Sequence, residues 1–290
     1  MLTLNTFNIR RLLLTCQIYD NDQIDKILDT LSEINVDEYQ DEFLDMLAKN
    51  TLLIINRDIS KEIKVMKEMF TSKLAIVPLI FGIQGSNKSS VINDLSHYLN
   101  IPNVVSTNTV KETLRIYHGR TNNTLENDNL SFSNYLINSR EIINGIQVDI
   151  EKAIKQGKSI ILSGHNLFLP YIFELHYGGL FPAPILINEM EDNSVNHSFP
   201  LYFLPSNNED SISLLFIPIL LKADLKKTRV NPETIDFLQK LQDEIISNTV
   251  NNPTNWPVHI VSHDPEIPQK TSRTIHQIVI KSLKKAIHLT

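Results

Sequence analysis

Apolar positions in the first 72 residues recur at helical spacing. Leu12, Leu13, Ile18, Ile24, Ile27, Leu28, Leu31 and Ile34 lie about three and four apart, and Phe43, Leu44, Met46 and Leu47 resume the pattern after an acidic stretch. That period predicts amphipathic helices. Residues 60–70 predict a further, Lys- and Glu-rich helix leading into the next segment. No catalytic constellation stands in residues 1–72, which read as a small helical region packed on the rest.

The pattern changes at Leu74. Short apolar runs now alternate with helical-period stretches, the signature of an α/β chain with a parallel sheet flanked by helices. The runs predict strands at Leu74–Phe81, Val104–Val105, Ser159–Ser163, Leu214–Leu221 and Val258–Val261, with Pro78 an awkward residue inside the first. The intervening periodicity predicts helices at 88–99, 109–117, 132–154, 232–249 and 272–287. Gly157 ends the third in the usual C-terminal glycine role. Residues 118–131 are polar and Asn-rich, and 176–212, with several prolines, read as an irregular insertion. The division expected is a helical region at 1–72 and an α/β region at 73–290.

One loop stands out. Gly82-Ile83-Gln84-Gly85-Ser86-Asn87-Lys88-Ser89-Ser90 follows the first strand and opens a helix. Strand, loop and helix in that order form the context of a phosphate-binding P-loop. In such a loop backbone N–H groups cradle phosphate, Lys88 supplies a point charge, and the Ser89 hydroxyl reaches Mg²⁺. The chain has only 8 glycines, so two of them just ahead of Lys-Ser are informative. Asn87 stands where a third glycine is usual, and asparagine tolerates positive φ best among the other residues. The plainer reading is a chance Gly-x-x-Gly turn. Against it, Ser106-Thr107-Asn108, Gly164-His165-Asn166 and Ser262-His263-Asp264 are all expected at strand C-terminal ends, where open sheets bind ligands.

Charge and cysteine usage narrow the classes. The formal net charge is −6, with no basic excess to favour nucleic acid or an anionic membrane as partner. Cys16 is the sole cysteine, which excludes an internal disulfide and a Cys-built zinc site and suits a reducing, cytoplasmic setting. No segment reaches the roughly 18 apolar residues of a transmembrane helix. Arg10 and Arg11, with no acid before Asp20, could open a mitochondrial presequence, but the start of a packed helix is the simpler expectation. Asn122-Asn123-Thr124 is discounted as a glycosylation site in the absence of a signal peptide. His165, His197, His259 and His263 fit no metal spacing, and Trp256, beside Pro253 and Pro257, reads as a hydrophobic anchor. Lys222, Lys226, Lys227 and Arg229 form a basic segment, which by charge alone is a solvated loop and by context could be a lid.

In this order the segments resemble the 2-phosphoglycerate kinase family. Its loop reads Gly-x-x-Gly-x-Gly-Lys-Ser, matched by Gly82 to Ser89. Its next stretch, Ile-x-x-Val-x-Ser-Thr-Asp-x-Ile-Arg-x-x-x-Arg, is matched by Ile101, Val104, Ser106, Thr107, Asn108, Val110, Lys111 and Arg115. Ser163-Gly164-His165-Asn166 takes the place of Glu-Gly-Val-His. The segment from Lys222 to Val230 takes the place of the family lid, and Ile235 to Asp243 that of a following helix. The match spans roughly residues 74–290 without 176–212, and residues 1–72 loosely resemble an ATP-cone-like region. Several departures stand out: Asn87 for glycine, Asn108 for an acid, Ser163 for glutamate, Asn166 for histidine, and Lys111 and Lys227 for arginines.

The resemblance implies an ATP- and Mg²⁺-dependent phosphotransferase acting on a hydroxyl of a small phosphorylated or carboxylate metabolite. Gly82, Gly85, Ser86, Asn87, Lys88, Ser89 and Ser90 would hold the nucleotide, with Ser89 on Mg²⁺. Lys88, Lys227 and Arg229 would stabilise the transferring group, and Asn108 would occupy the acid's catalytic position, although an amide cannot act as a base. Lys111, Arg115, His165 and Asn166 would face the acceptor. The departures support a second expectation, a catalytically degenerate P-loop protein that binds a nucleotide or other ligand and regulates a partner.

Overall fold

The computed structural model of the chain describes residues 6–31, 41–71, 74–117, 131–175, 185–188, 198–204, 212–228, 231–251 and 258–287. In chain order, helices α1 (Thr6–Thr15), α2 (Asn21–Leu31), α3 (Asp41–Ile55) and α4 (Ser60–Thr71) precede strand β1 (Leu74–Phe81). Then come α5 (Lys88–Tyr98), β2 (Val104–Ser106), α6 (Thr107–Tyr117), α7 (Phe132–Lys155), β3 (Ile161–Gly164) and α8 (Leu169–Leu175). Strands β4 (Ile185–Asn188), β5 (Ser198–Leu204) and β6 (Ile212–Ala223) follow, and α9 (Ile235–Val250), β7 (His259–His263) and α10 (Pro268–Ile287) complete the chain's described elements.

β1 is buried along its whole length. A strand covered on both faces has no polar face to show, so its sequence runs apolar without alternating. β3 lies on one side of it and β6 on the other; β2 pairs β3 and β7 pairs β6, giving a parallel order β2-β3-β1-β6-β7. Alternate residues of β1 serve opposite cores. Ala75, Val77, Leu79 and Phe81 pack with Ile143, Ile146 and Ile150 of α7 and Leu241 and Ile245 of α9. Leu74, Ile76 and Ile80 pack with Val91 and Leu95 of α5 and Ile275, Val279 and Leu283 of α10. The period-two alternation of a strand thus builds a three-layer structure.

Pro78 is tolerated in the central strand. It shares an edge with Ile76, whose N and O meet Ser159 Oγ and Ile160 N on the β3 side, while registers with β6 run unbroken from Leu74 to Phe81. Pro218 of β6 falls between the residues that pair β5 and those that pair β7. Gly157 takes φ 61° and the N–H of Lys158 returns to Ala153 O at 2.9 Å, closing α7 as expected.

The segment read as irregular between 176 and 212 is a correction: it carries β4 and β5, which extend the sheet antiparallel beyond β6. Pro200 suggested a break, yet it pairs Leu186 inside the β4–β5 ladder. Helix α6 begins at Thr107, so Thr107 and Asn108 are in its first turn rather than on a loop, and α10 begins at Pro268, four residues before the expected start. Expectations for 118–130, His197, Arg229, Val230 and Trp256 with its flanking prolines lie outside the described residues.

The four N-terminal helices share a core of their own around Leu13, Ile24, Ile27, Leu47 and Ile59. Arg57 donates to Cys16 O at 2.9 Å and Gln17 O at 2.8 Å, placing a cation at the α1 C-terminus. Contacts to α5 and α10 tie this group to the layer beside the sheet. Lys284 Nζ donates to Glu62 at 2.8 Å, Tyr19 OH lies 2.7 Å from His276 Nδ1, and the Tyr19 ring meets Tyr98 of α5 at 4.8 Å. Among the described residues no helix is long and apolar enough to cross a membrane.

Candidate functional site

The strand order reverses at β1, because the chain skips from β1 to β2, returns to β3 beside β1, then crosses to β6. The crevice beyond a strand at such a switch point is where ligands bind in open sheets. The loop from Gly82 to Asn87 leaves β1 there. Gly82 has φ 154°, and a Cβ on it would lie 2.7 Å from Leu221 O, so only glycine lets the loop pass β6. Gly85 has φ 78°. Asn87 has φ 55° and ψ 32°, the left-handed conformation expected of a residue in glycine's place. Its carboxamide turns aside, donating to Pro265 O at 3.1 Å and accepting from Ser90 Oγ at 2.9 Å. As N-cap of α5 it makes no side-chain cap, so the first N–H groups of that helix lack the usual side-chain acceptor.

Lys88, the first residue of α5, bends back into the loop. Its Nζ donates to Ile83 O and to Ser86 Oγ, the latter at 3.0 Å. No carboxylate pairs with it among the described residues, and burial alone pushes its ammonium down to about 7. Ser86 is fully buried, and its hydroxyl also reaches Ile83 O at 3.0 Å. The loop therefore encloses an uncompensated cation at the positive end of an uncapped helix, an arrangement that attracts an anion.

The other strand ends meet this loop. A Cβ on Gly164 would lie 1.6 Å from Thr107 Oγ1, so glycine is what lets β3 and α6 close up. His165 follows, held neutral: burial, then the charges of Lys88 and Lys111, push it down to about 3. Among the described residues its Nε2, both amide atoms of the fully buried Asn166, and Thr107 Oγ1 find no hydrogen-bond partner. Of the residues expected to face an acceptor, His165 lies within electrostatic reach of both Lys88 and Lys111, Asn166 is fully buried, and Arg115 is paired with Glu112 at 2.7 Å on its own helix. Neither a family model nor a curated protein matches the chain.

The residues expected to organise a metal are neutral. Ser89 offers an exposed hydroxyl, Asn108 an exposed amide, and buried Ser163 a hydroxyl directed at Val105 O, 3.5 Å away. A Mg²⁺ ion is ordinarily held through one or two carboxylates, and among the described residues no three His, Cys, Asp or Glu side chains gather for a metal. This donor set does not fit an ion held by the protein itself.

Sequence reasoning missed the part played by the turn after β7. His263 is buried, with Nε2 2.5 Å from Ser86 O and Nδ1 2.9 Å from Thr271 Oγ1. A carbonyl only accepts, so Nε2 carries the proton, and in the neutral ring Nδ1 accepts from the threonine hydroxyl. Burial holds this ring below its ordinary range, against the hydrogen bond to Ser86. The one available signal was Ser262-His263-Asp264 at a strand end. Lys227, expected near a transferring group, is bound to Asp264 at 2.5 Å. Beside this turn a cleft of about 640 Å³ is lined by Lys222, Asp224, Ser262, Ile267 and Lys270.

Proposed function

We propose that the chain binds a phosphate-bearing ligand, a nucleotide such as ATP, in the 82–89 loop of a P-loop kinase-like fold. The observation that carries this reading is Lys88: a half-buried lysine whose ammonium turns into the loop onto Ile83 O and Ser86 Oγ, with no carboxylate partner among the described residues, at the start of an uncapped helix. Two further features support it, the loop's place at the switch point of the sheet and the left-handed conformations of Gly85 and Asn87. Binding is favoured over turnover, since neutral Asn108 and Ser163 stand where phosphoryl transfer needs a base and a metal-holding acid. The test is calorimetry with ATP, once with excess Mg²⁺ and once with EDTA. Micromolar binding in both, lost in Lys88→Met, supports the reading; binding unchanged in Lys88→Met sinks the assignment of the loop.

A second reading, phosphotransfer to a hydroxyl of a small anionic metabolite of the 2-phosphoglycerate type, is favoured by one observation. Lys111 lies close enough to His165 to lower its basicity, so a second cation stands near the loop. If the scaffold is a weakened kinase, Asn108→Asp with Ser163→Glu raises turnover at least about tenfold, the scale of one acid–base group at partial efficiency. No gain would remove this reading and leave the first standing.

A further inference from the structure

Three consecutive residues, His263 at the end of β7 and Asp264 and Pro265 just after it, each hold a different part of the site. His263 Nε2 donates to Ser86 O at 2.5 Å, and Pro265 O accepts from Asn87 Nδ2 at 3.1 Å. The turn therefore meets the loop at two adjacent residues, through the His263 ring on Ser86 and the Pro265 carbonyl on Asn87. Between those contacts, Asp264 Oδ2 accepts from Lys227 Nζ at 2.5 Å, while Oδ1 accepts from Glu266 N at 3.0 Å. Lys227 ends the short turn Leu225–Lys227 that follows β6. That turn is itself anchored to β7, since Asp224 N donates to His263 O at 3.1 Å. One residue, Asp264, thus links the phosphate loop to the basic segment.

We infer that Asp264 is a counter-ion exchanger: it holds Lys227 while the loop is empty and yields it to the anion when the loop fills. The inference rests on the loop binding an anion. Lys88 is a single charge, and a polyphosphate carries several, so a second cation is drawn in. Lys227 is suited to the task. Its side chain is 40% exposed, its tether is one salt bridge, and its carboxylate partner sits between the two residues that touch the loop. A polyanion over Ser86 and Asn87 brings negative charge beside Asp264 and competes with it for the ammonium. His263 and Pro265 are the positioning contacts that keep Asp264 in register with the loop.

A double-mutant cycle on the whole chain tests this, with inorganic triphosphate in EDTA as the calorimetric probe. Asp264→Asn keeps the Oδ1 acceptor for Glu266 N, and Lys227→Met keeps the aliphatic stem, so both preserve the turn. The expected result is that Asp264→Asn tightens binding roughly two- to five-fold, the span of an exposed ion pair, and that the gain shrinks by at least half in the Lys227→Met background. Equal gains in both backgrounds would mean that Asp264 is only a repulsive charge and Lys227 never moves, which overturns the exchange. No gain in either background overturns it too. If wild type binds no triphosphate, this inference and the anion-binding reading fall together; if wild type binds and the gains are equal, only the exchange falls. The Asp264 carboxyl carbon gives a second readout by NMR. Lys227 holds that carboxyl below the ordinary range, and triphosphate should raise its titration point more in the wild type than in Lys227→Met, where only the ligand's own charge acts; equal rises in the two proteins overturn the exchange.

Discussion

If the 82–89 loop binds an anion as proposed, Lys88 makes that binding a proton-linked event. In the empty protein burial brings its ammonium down to about 7, with no carboxylate opposing the shift. A phosphate in the loop supplies the missing charge and restores the ordinary lysine range, near 10.4. Below pH 7 the empty site is already charged and binds at full strength. Above pH 7 each ligand must bring a proton to Lys88, and affinity falls. With a free-state value of 7, the charged fraction is about nine-tenths at pH 6, half at pH 7 and one-tenth at pH 8. Affinity for triphosphate should therefore drop about tenfold between pH 6 and pH 8, with about half a proton taken up per ligand at pH 7 and about nine-tenths at pH 8.

The assay is titration calorimetry at each pH in two buffers of different ionisation enthalpy, which separates proton uptake from binding. The ligand titrates over the same range, so Lys88→Arg is the control. A guanidinium stays charged throughout, and the ligand's own contribution is common to both proteins. The difference between them isolates Lys88. A wild-type slope equal to that of Lys88→Arg, with no excess proton uptake at pH 8, would refute the idea that this ammonium is buried without a counter-charge.

Other consequences follow from the same geometry. Lys88→Met should stabilise the empty protein, because it removes a buried charge while Ser86 Oγ still satisfies Ile83 O. Folding lowers the lysine's affinity for protons, so its cost is full below pH 7 and fades as pH rises toward 10.5. The gain in melting temperature should thus be several degrees at pH 6–7 and near zero at pH 10. Gly164→Ala drives a methyl into Thr107 and should cost roughly 2–4 kcal/mol in urea unfolding; a change under about 0.5 kcal/mol would show that the β3–α6 approach is not tight. His165 and His276 are both pushed down to about 3 by burial. The unfolded chain then binds up to two more protons from pH 6.5 downward, and stability should fall with acid, at up to about 2.7 kcal/mol per pH unit near pH 5. A flat melting temperature from pH 7 to pH 5 would contradict the burial of both rings.

What could be read in the sequence was local. The run Leu74–Phe81 is apolar without interruption, so it could only be a strand covered on both sides, and Gly82 to Ser90 carry their loop in their spacing. The periods of α5, α7 and α9 were equally plain, because each has a buried face at regular intervals. β4 and β5 were hidden by Pro200 and by a lack of alternation, since strands at the far side of β6 answer to sheet pairing rather than to a local period. The starts of α6 and α10 were misplaced because Thr107 and Pro268 are tolerated both in loops and in first turns. The contact that completes the site, His263 to Ser86 O, spans 177 residues of chain. Nothing near either residue announces it.

Binding and turnover ask for different groups, and here those groups separate. Holding a phosphate needs a cation, free helix N–H groups and a backbone that can pass through left-handed φ; Lys88, α5 and the Gly82–Asn87 loop meet those needs. Moving a phosphoryl group also needs an acid to set the metal and a base for the acceptor, and Asn108 and Ser163 can be neither. The absence of acids at positions 108 and 163 is not neutral for binding. Each carboxylate absent from the strand ends leaves Lys88 more exposed to its own desolvation, which raises the cost of the empty site and the gain on filling it. That gain appears as affinity, and it reaches the rest of the protein only through what the loop touches. One connection is the His263–Pro265 turn toward Lys227, and a second is α5, which starts at Lys88 and ends at Tyr98 against Tyr19 and His276. The second connection ends on the N-terminal helices.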